Sequence, residues 1–370
     1  MAFGEETFKR ALKVGLAETL DLHSTFQWEH FLGFGLDAHF LARVIELDGT
    51  EVPARASDFW RQVDFKPPFE GTLTLPKDKS GVSIYSRRAF LYPQVMAHVK
   101  LPTLSLVGNE TNMLYYLGLE HGSMIFNGIA GFVLHTTTGY SNRLFAFVGS
   151  LQGLGYRMLN IDAVKPADFS TAYHVYRVIV TRNLVLFFID NRLRAVAVQC
   201  LQGGIMVVRE NVPPYSIILV PQLPSSLTAF TELFTNRTQV APSDITVPLS
   251  PYRFRVSDGK EIAPLALPLY LDNSDTTLAG YSITSGSVTS HPIPVFGYNR
   301  KTLYLMASQS GTLEVHVYTL TGNWRTYDSI SIPANTLLSY TIDDEAVLAR
   351  AVFTPSAYPA SILEAGVVMS

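Results

Sequence analysis

Apolar residues follow two rhythms along this chain. At the start, Phe8, Ala11, Leu12, Leu16 and Leu20 recur every three or four positions with charges between them, the spacing of an amphipathic helix. From about Trp60 onward the texture becomes short runs rich in β-branched and aromatic residues, set off by Gly, Pro, Asn and Asp. Such runs fall at Gly71–Leu75, 94–100, 113–118, 131–135, 143–148, 175–180, Leu184–Ile189 and 193–198. Strands at this spacing, with no helical pattern between them, predict sandwiches and not alternating strand and helix. Two tight hairpins are legible, at Thr181-Arg-Asn183 and at Asp190-Asn191, where the residue types tolerate positive φ.

Proline and serine then cluster: Pro221, Pro224, Ser225, Ser226, Pro242, Ser243, Pro248, Ser250 and Pro251. This reads as a linker around a short helix at 227–234. A second β-rich unit follows, with runs at 302–307, 312–319, 329–332, 337–342 and 346–354 and a closing run at 360–369. The expected organisation is a helical arm and lead-in over 1–59, a β-sandwich over 60–222, a linker over 223–245 and a second β-sandwich over 246–370. The fold class is all-β.

Composition narrows the field. The 370 residues are 47% hydrophobic and 12% aromatic, which supports a packed core. Only 16% are charged, where an average soluble protein has roughly 25%. Interface cores are poor in charge, so the balance suits a protein covered by partners, and a homo-oligomer is expected. The net charge of −3 removes the basic face that nucleic acid requires. No run approaches the ~18 apolar residues of a membrane helix, and the first twenty residues show no signal-peptide core, so no membrane insertion and synthesis in the cytoplasm are expected.

Residues 89–198 resemble the concanavalin A-like jelly roll of laminin-G-type domains, legume-lectin relatives and family 16 glycoside hydrolases. Three pieces carry the resemblance: 90–102 as the opening strand, 115–120 with 131–134 as paired central strands, and the hairpin 173–192 with its Phe-Ile-Asp-Asn turn. The C-terminal unit is similar in texture to small jelly-roll modules that end structural proteins of bacteriophages and archaeal viruses, through 313–318, 322–328, 331–336 and 349–355. That second resemblance implies a non-enzymatic virion structural protein: a capsid decoration, a vertex or turret spike, or a tail-associated protein. The alternative is a lectin-like adhesin for a surface glycan; a glycoside hydrolase comes third.

The chemistry-bearing residues weigh against catalysis. Family 16 enzymes carry Glu-x-Asp-x-x-Glu on a central strand. The runs read as the corresponding strands, 131–138 and 144–148, are apolar and hydroxylated and carry no carboxylate, and the one match to the spacing, Glu46-Leu-Asp-Gly-Thr-Glu51, lies upstream of the residues that carry the resemblance. Glu120 reads as a solvated carboxylate at a strand end. Nine histidines show no metal-ligand spacing, and the lone Cys200 sits in an apolar strand end, as an inert thiol does. Asp190 and Asn191 could hold calcium, but a hairpin asks for the same residues, and neither metal nor cofactor is expected. Candidate glycan- or partner-binding aromatics are Tyr115, Tyr116, Trp324 and Tyr327. Candidate assembly residues are Phe8, Leu12, Leu16 and Leu20, facing other subunits or other virion proteins; a host surface glycan is the remaining expected partner.

Overall fold

The computed structural model describes residues 89–370 apart from 106–112, 122–127, 150–155, 202–204, 236–242 and 263. Before residue 89 it describes Lys77 and the strands Thr19–Asp21, Phe40–Ile45, Glu51–Pro53, Gly71–Leu75 and Gly81–Ser86. Among the described residues the one helical element is a single 3-10 turn, Asp162–Val164. The chain is all-β.

Two nine-stranded sheets form the first sandwich. The back sheet runs, in spatial order, Thr19–Asp21, Ile245–Ser257, Gln94–Val99, His174–Val180, Leu184–Ile189, Arg192–Gln199, Ser216–Val220, Met206–Arg209, with Gly71–Leu75 also paired to Ile245–Ser257 as the ninth. The front sheet runs Tyr156–Asn160, Tyr140–Gly149, Ile129–Thr137, Met113–Glu120, Ser226–Thr235, Gly81–Ser86, Phe40–Ile45, Glu51–Pro53, with Phe90–Leu91 paired to Ser226–Thr235 as the ninth. Alternate side chains of each sheet meet between them, among them Tyr115, Leu117, Leu119, Phe132, Leu134, Tyr176, Val178 and Phe187, as period-two side-chain direction requires. The hairpin at Asp190-Asn191 forms as expected, with φ of 49° and 62° at the two residues.

Three sequence expectations need correction. Leu20 lies in the strand Thr19–Asp21, paired through Val256 with the back sheet, and not on a helix; Phe8, Leu12 and Leu16 lie outside the described residues. The supposed linker is structural: Ser226–Thr235 is a strand at the middle of the front sheet, paired on one side with Gly81–Ser86 and on the other with Met113–Glu120. Its Leu227, Ala229, Thr231 and Leu233 are all buried, the period-two face of a strand and not a helical stripe. Ile245–Ser257 likewise belongs to the back sheet, so the first sandwich ends near residue 257 and the second begins near Leu265, not at 246.

The second sandwich pairs two five-stranded sheets. One contains Leu265–Pro268, Ala360–Met369, Lys301–Ala307 and Leu338–Thr341; the other contains Leu348–Pro355, Gly311–Tyr318 and Trp324–Ile332. It has no core of its own apart from its neighbour. Leu184, Leu186, Phe188, Leu193, Val196, Val198, Ile217 and Leu219, on the outer face of the back sheet, belong to one continuous cluster with Leu269, Ile293, Val295, Leu313, Phe353 and Val367. All six residues of Leu184–Ile189 are therefore buried, half against the front sheet and half against the second sandwich. Polar ties cross the same seam. Arg209 holds Asp272 at 2.6 and 3.1 Å, Arg194 holds Asp275 at 2.8 Å, and the Tyr215 hydroxyl donates to the Pro292 carbonyl at 2.7 Å.

Candidate functional site

The outer face of the front sheet is apolar and buried: Tyr116, Ile129, Val133, Phe145, Phe147 and Phe230 cluster on it. Tyr116 stacks on Phe230 at 4.2 Å between ring centroids and meets Phe147 edge-on at 6.1 Å. Its hydroxyl lies over Gly118 and Gly131 on adjacent strands, where a Cβ at residue 131 would overlap it. Burial, with Glu120 and Glu232 nearby, pushes its pKa well above the ordinary phenol range. Tyr115 points the other way, into the inter-sheet core, and its oxygen accepts a hydrogen bond from Thr231 at 3.0 Å. At 1% and 4% exposure neither tyrosine can stack on a sugar, and the glycan-contact expectation for this pair is corrected. Two adjacent strand residues face opposite ways; both are buried because both faces are covered.

Glu120 is not a solvated turn residue. It and Glu232 are buried on this same outer face. Glu232 stands opposite Tyr116 while Glu120 stands opposite Thr228. Four residues at ~3.4 Å each put their backbones about 14 Å apart along the strands. The strand Ile129–Thr137, central in the sheet, presents no carboxylate at all.

Trp324 and Tyr327 are half-buried on the second sandwich. The Arg350 guanidinium lies over the Trp324 ring at 4.4 Å and Tyr318 packs beside it at 5.2 Å. Arg350 in turn reaches His316 Nδ1 at 3.4 Å, and His316 Nε2 donates to Glu314 at 3.0 Å. The ring is thus packed into the sheet, not displayed on the turn. Trp324→Ala is expected to cost about 2 kcal/mol, roughly half the penalty of a fully buried tryptophan plus a cation–π contact. Denaturant unfolding at neutral pH measures it; a change within a few tenths of a kcal/mol would show the ring to be free.

At the Asp190-Asn191 turn, one Asp190 oxygen accepts from the Val175 backbone at 2.9 Å and the other from His174 Nδ1 at 2.7 Å. His174 Nε2 also reaches Asp168 at 3.0 Å. Both carboxylate oxygens thus brace the hairpin and the strand beside it.

The seam between the sandwiches opens at one end into a cleft of about 550 Å³. Its walls come from both units: Arg182, Asn183 and Gln222 from the first, Phe296 and Asn299 from the second, with Ile262 on the connection. The hairpin turn at Thr181–Asn183 supplies the floor. Asn183 is buried and its Nδ2 donates to the Gly297 carbonyl at 3.2 Å. Gly297, at φ 79°, is required there, since any Cβ would overlap the Asn183 amide. Gln199 beneath is fully engaged, donating to Thr181 O at 2.6 Å and accepting from Leu223 N at 2.7 Å. Cys200 lines the cleft with a thiol that burial pushes up to about 11, so it is protonated at neutral pH. The side-chain amides of Gln222 and Asn299 are exposed and have no protein hydrogen-bond partner among the described residues. None of the residues expected from sequence to contact a ligand lies in this cleft.

No family model and no curated protein matches this sequence. Solved structures do show similarity. The laminarinase from Rhodothermus marinus is 11% identical over 66% of this chain and 96% of its own, with a TM-score of 0.42. A glycoside hydrolase family 16 endo-glucanase from Bacteroides ovatus is 12% identical over 65% of this chain and 98% of its own, with a TM-score of 0.40. The Bacillus licheniformis β-glucanase is 12% identical over 54% and 83%, with a TM-score of 0.35. With glycan-active enzymes as the similar structures, the expectation of a virion structural protein is withdrawn, and so is the exclusion of an enzyme. At these identities the likeness is one of fold, and no catalytic residue is transferred to this chain.

Proposed function

We propose that this chain binds glycans in the cleft between its two sandwiches. One observation carries the reading. A single concave site brings together amide side chains with open hydrogen-bonding capacity and apolar surface from Phe296 and Ile262, which is 39% exposed. A sugar ring offers hydroxyl pairs at its rim and C–H groups on its faces. Amides match the first and an aromatic ring the second, and pockets of this size with a few placed polar groups are the usual form of ligand sites. The jelly-roll fold agrees with this reading without supplying it.

Isothermal titration of the full chain against oligosaccharides tests it. Asn299→Ala and Gln222→Ala each remove a hydrogen-bonding side chain worth about 1 kcal/mol, roughly a fivefold loss of affinity apiece. Phe296→Ala should cost tenfold or more. Both amide positions are exposed, so those two variants should melt as the parent does. Parent-like affinity in all three would move the site elsewhere.

A further inference from the structure

Resting on that glycan reading, we infer that the cleft selects neutral over acidic glycans and that Glu261 sets the selection. Of the described side chains that line the cleft, only Arg182 carries a permanent charge. It is already spoken for: its Nη1 donates to Glu261 at 2.9 Å. The two residues are tied a second time through the backbone, Arg182 N donating to the Glu261 carbonyl at 2.7 Å. This second tie matters because both side chains are about half exposed, and an exposed pair alone is weakly held. Even when the side chains part, the backbone bond keeps the two residues side by side, so the carboxylate stays within reach of the guanidinium.

The remaining polar groups are uncharged. Asn183, Gln199, Gln222 and Asn299 are amides, and the Cys200 thiol stays protonated. Glu261 itself does not line the cleft, nor do Lys260 and Arg300, but Glu261 alone of the three is hydrogen-bonded to a lining residue, Arg182, by side chain and backbone. A uronate or sulfate entering here therefore finds no unpaired cation among the described lining residues and meets a carboxylate beside the one cation there is. Like charges so placed disfavour binding, and building a repulsion against the wrong ligand is a recognised route to specificity. A neutral oligosaccharide meets the amides, Phe296 and Ile262 and carries no charge for the Glu261 carboxylate to repel.

The test uses the full chain on a printed panel of neutral, uronic-acid and sulfated oligosaccharides, followed by titration with the best neutral and best acidic member. Binding should be confined to neutral members, with at least tenfold preference. Glu261→Gln keeps the backbone tie and side-chain shape but frees the Arg182 charge. It should raise affinity for the acidic member fivefold or more, make that binding salt-sensitive, and leave neutral binding unchanged. Tighter binding of acidic glycans by the parent, or no gain for them in Glu261→Gln, overturns the selection while leaving the glycan reading in place. Silence across the whole panel overturns the glycan reading itself.

Discussion

A chain truncated after residue 262 is expected to aggregate, not to yield a soluble single sandwich. Removing the second sandwich bares Leu184, Leu186, Phe188, Leu193, Val196, Val198, Ile217 and Leu219 on the outer face of the back sheet. Each is under 10% exposed in the intact chain. Burying a side chain of this kind contributes about 1.5–3 kcal/mol, so the face accounts for on the order of 10 kcal/mol. The patch would also form one contiguous apolar surface, larger than soluble monomers ordinarily show. Light scattering and dye-binding fluorescence of the truncated and intact chains would decide the matter. A truncated chain that stays monomeric, binds no dye and melts at the intact temperature would show that the two sandwiches are independent domains joined by a passive seam.

That shared core was partly legible. Leu184-Val-Leu-Phe-Phe-Ile189 has no polar residue on either face, and a strand with one solvated face alternates. The run announces burial on both sides, which a lone sandwich cannot provide at an outer sheet. The turn at Asp190-Asn191 was fully legible, because only a few residue types accept its backbone. The strand Ser226–Thr235 was hidden by its surroundings. Pro221, Pro224 and Pro242 lie outside it, so the prolines that suggest a linker bracket a central strand. The cleft could not be read at all. Arg182, Gln222, Ile262 and Asn299 are brought together from distant positions by the docking of two sandwiches, and no spacing encodes that. Its one local trace is the amide of Asn183 in a hairpin turn, which turn chemistry explains equally well.

Acid should weaken the intact chain through the seam, and His291 is the residue responsible. Its side chain is 1% exposed. Nε2 donates to the Tyr215 carbonyl at 2.8 Å, which leaves Nδ1 as the unprotonated nitrogen, 3.6 Å from Asp272 and without a hydrogen bond. Burial first, and the Arg209 guanidinium second, lower its pKa to about 4, against the hydrogen bond to the Tyr215 carbonyl and the attraction of Asp272. Tyr215 stacks edge-on at 4.6 Å and offers no charge to offset a proton. An unfolded chain has the histidine near 6.5. Above that pH the residue is neutral in both states and costs nothing. As pH falls from about 6.5 to 4 the unfolded chain takes up the proton and the folded one does not. Stability then drops by about 3 kcal/mol and levels off below the folded pKa. Carboxylates titrate toward the end of the same range, so the contribution is isolated by comparing parent with His291→Gln. Gln can still donate to Tyr215 but cannot titrate. The parent should lose about 3 kcal/mol more than the variant between pH 7 and pH 4 in denaturant unfolding. Parallel losses in the two proteins would show that His291 takes up its proton in the folded chain at an ordinary pH, with Asp272 outweighing both burial and Arg209.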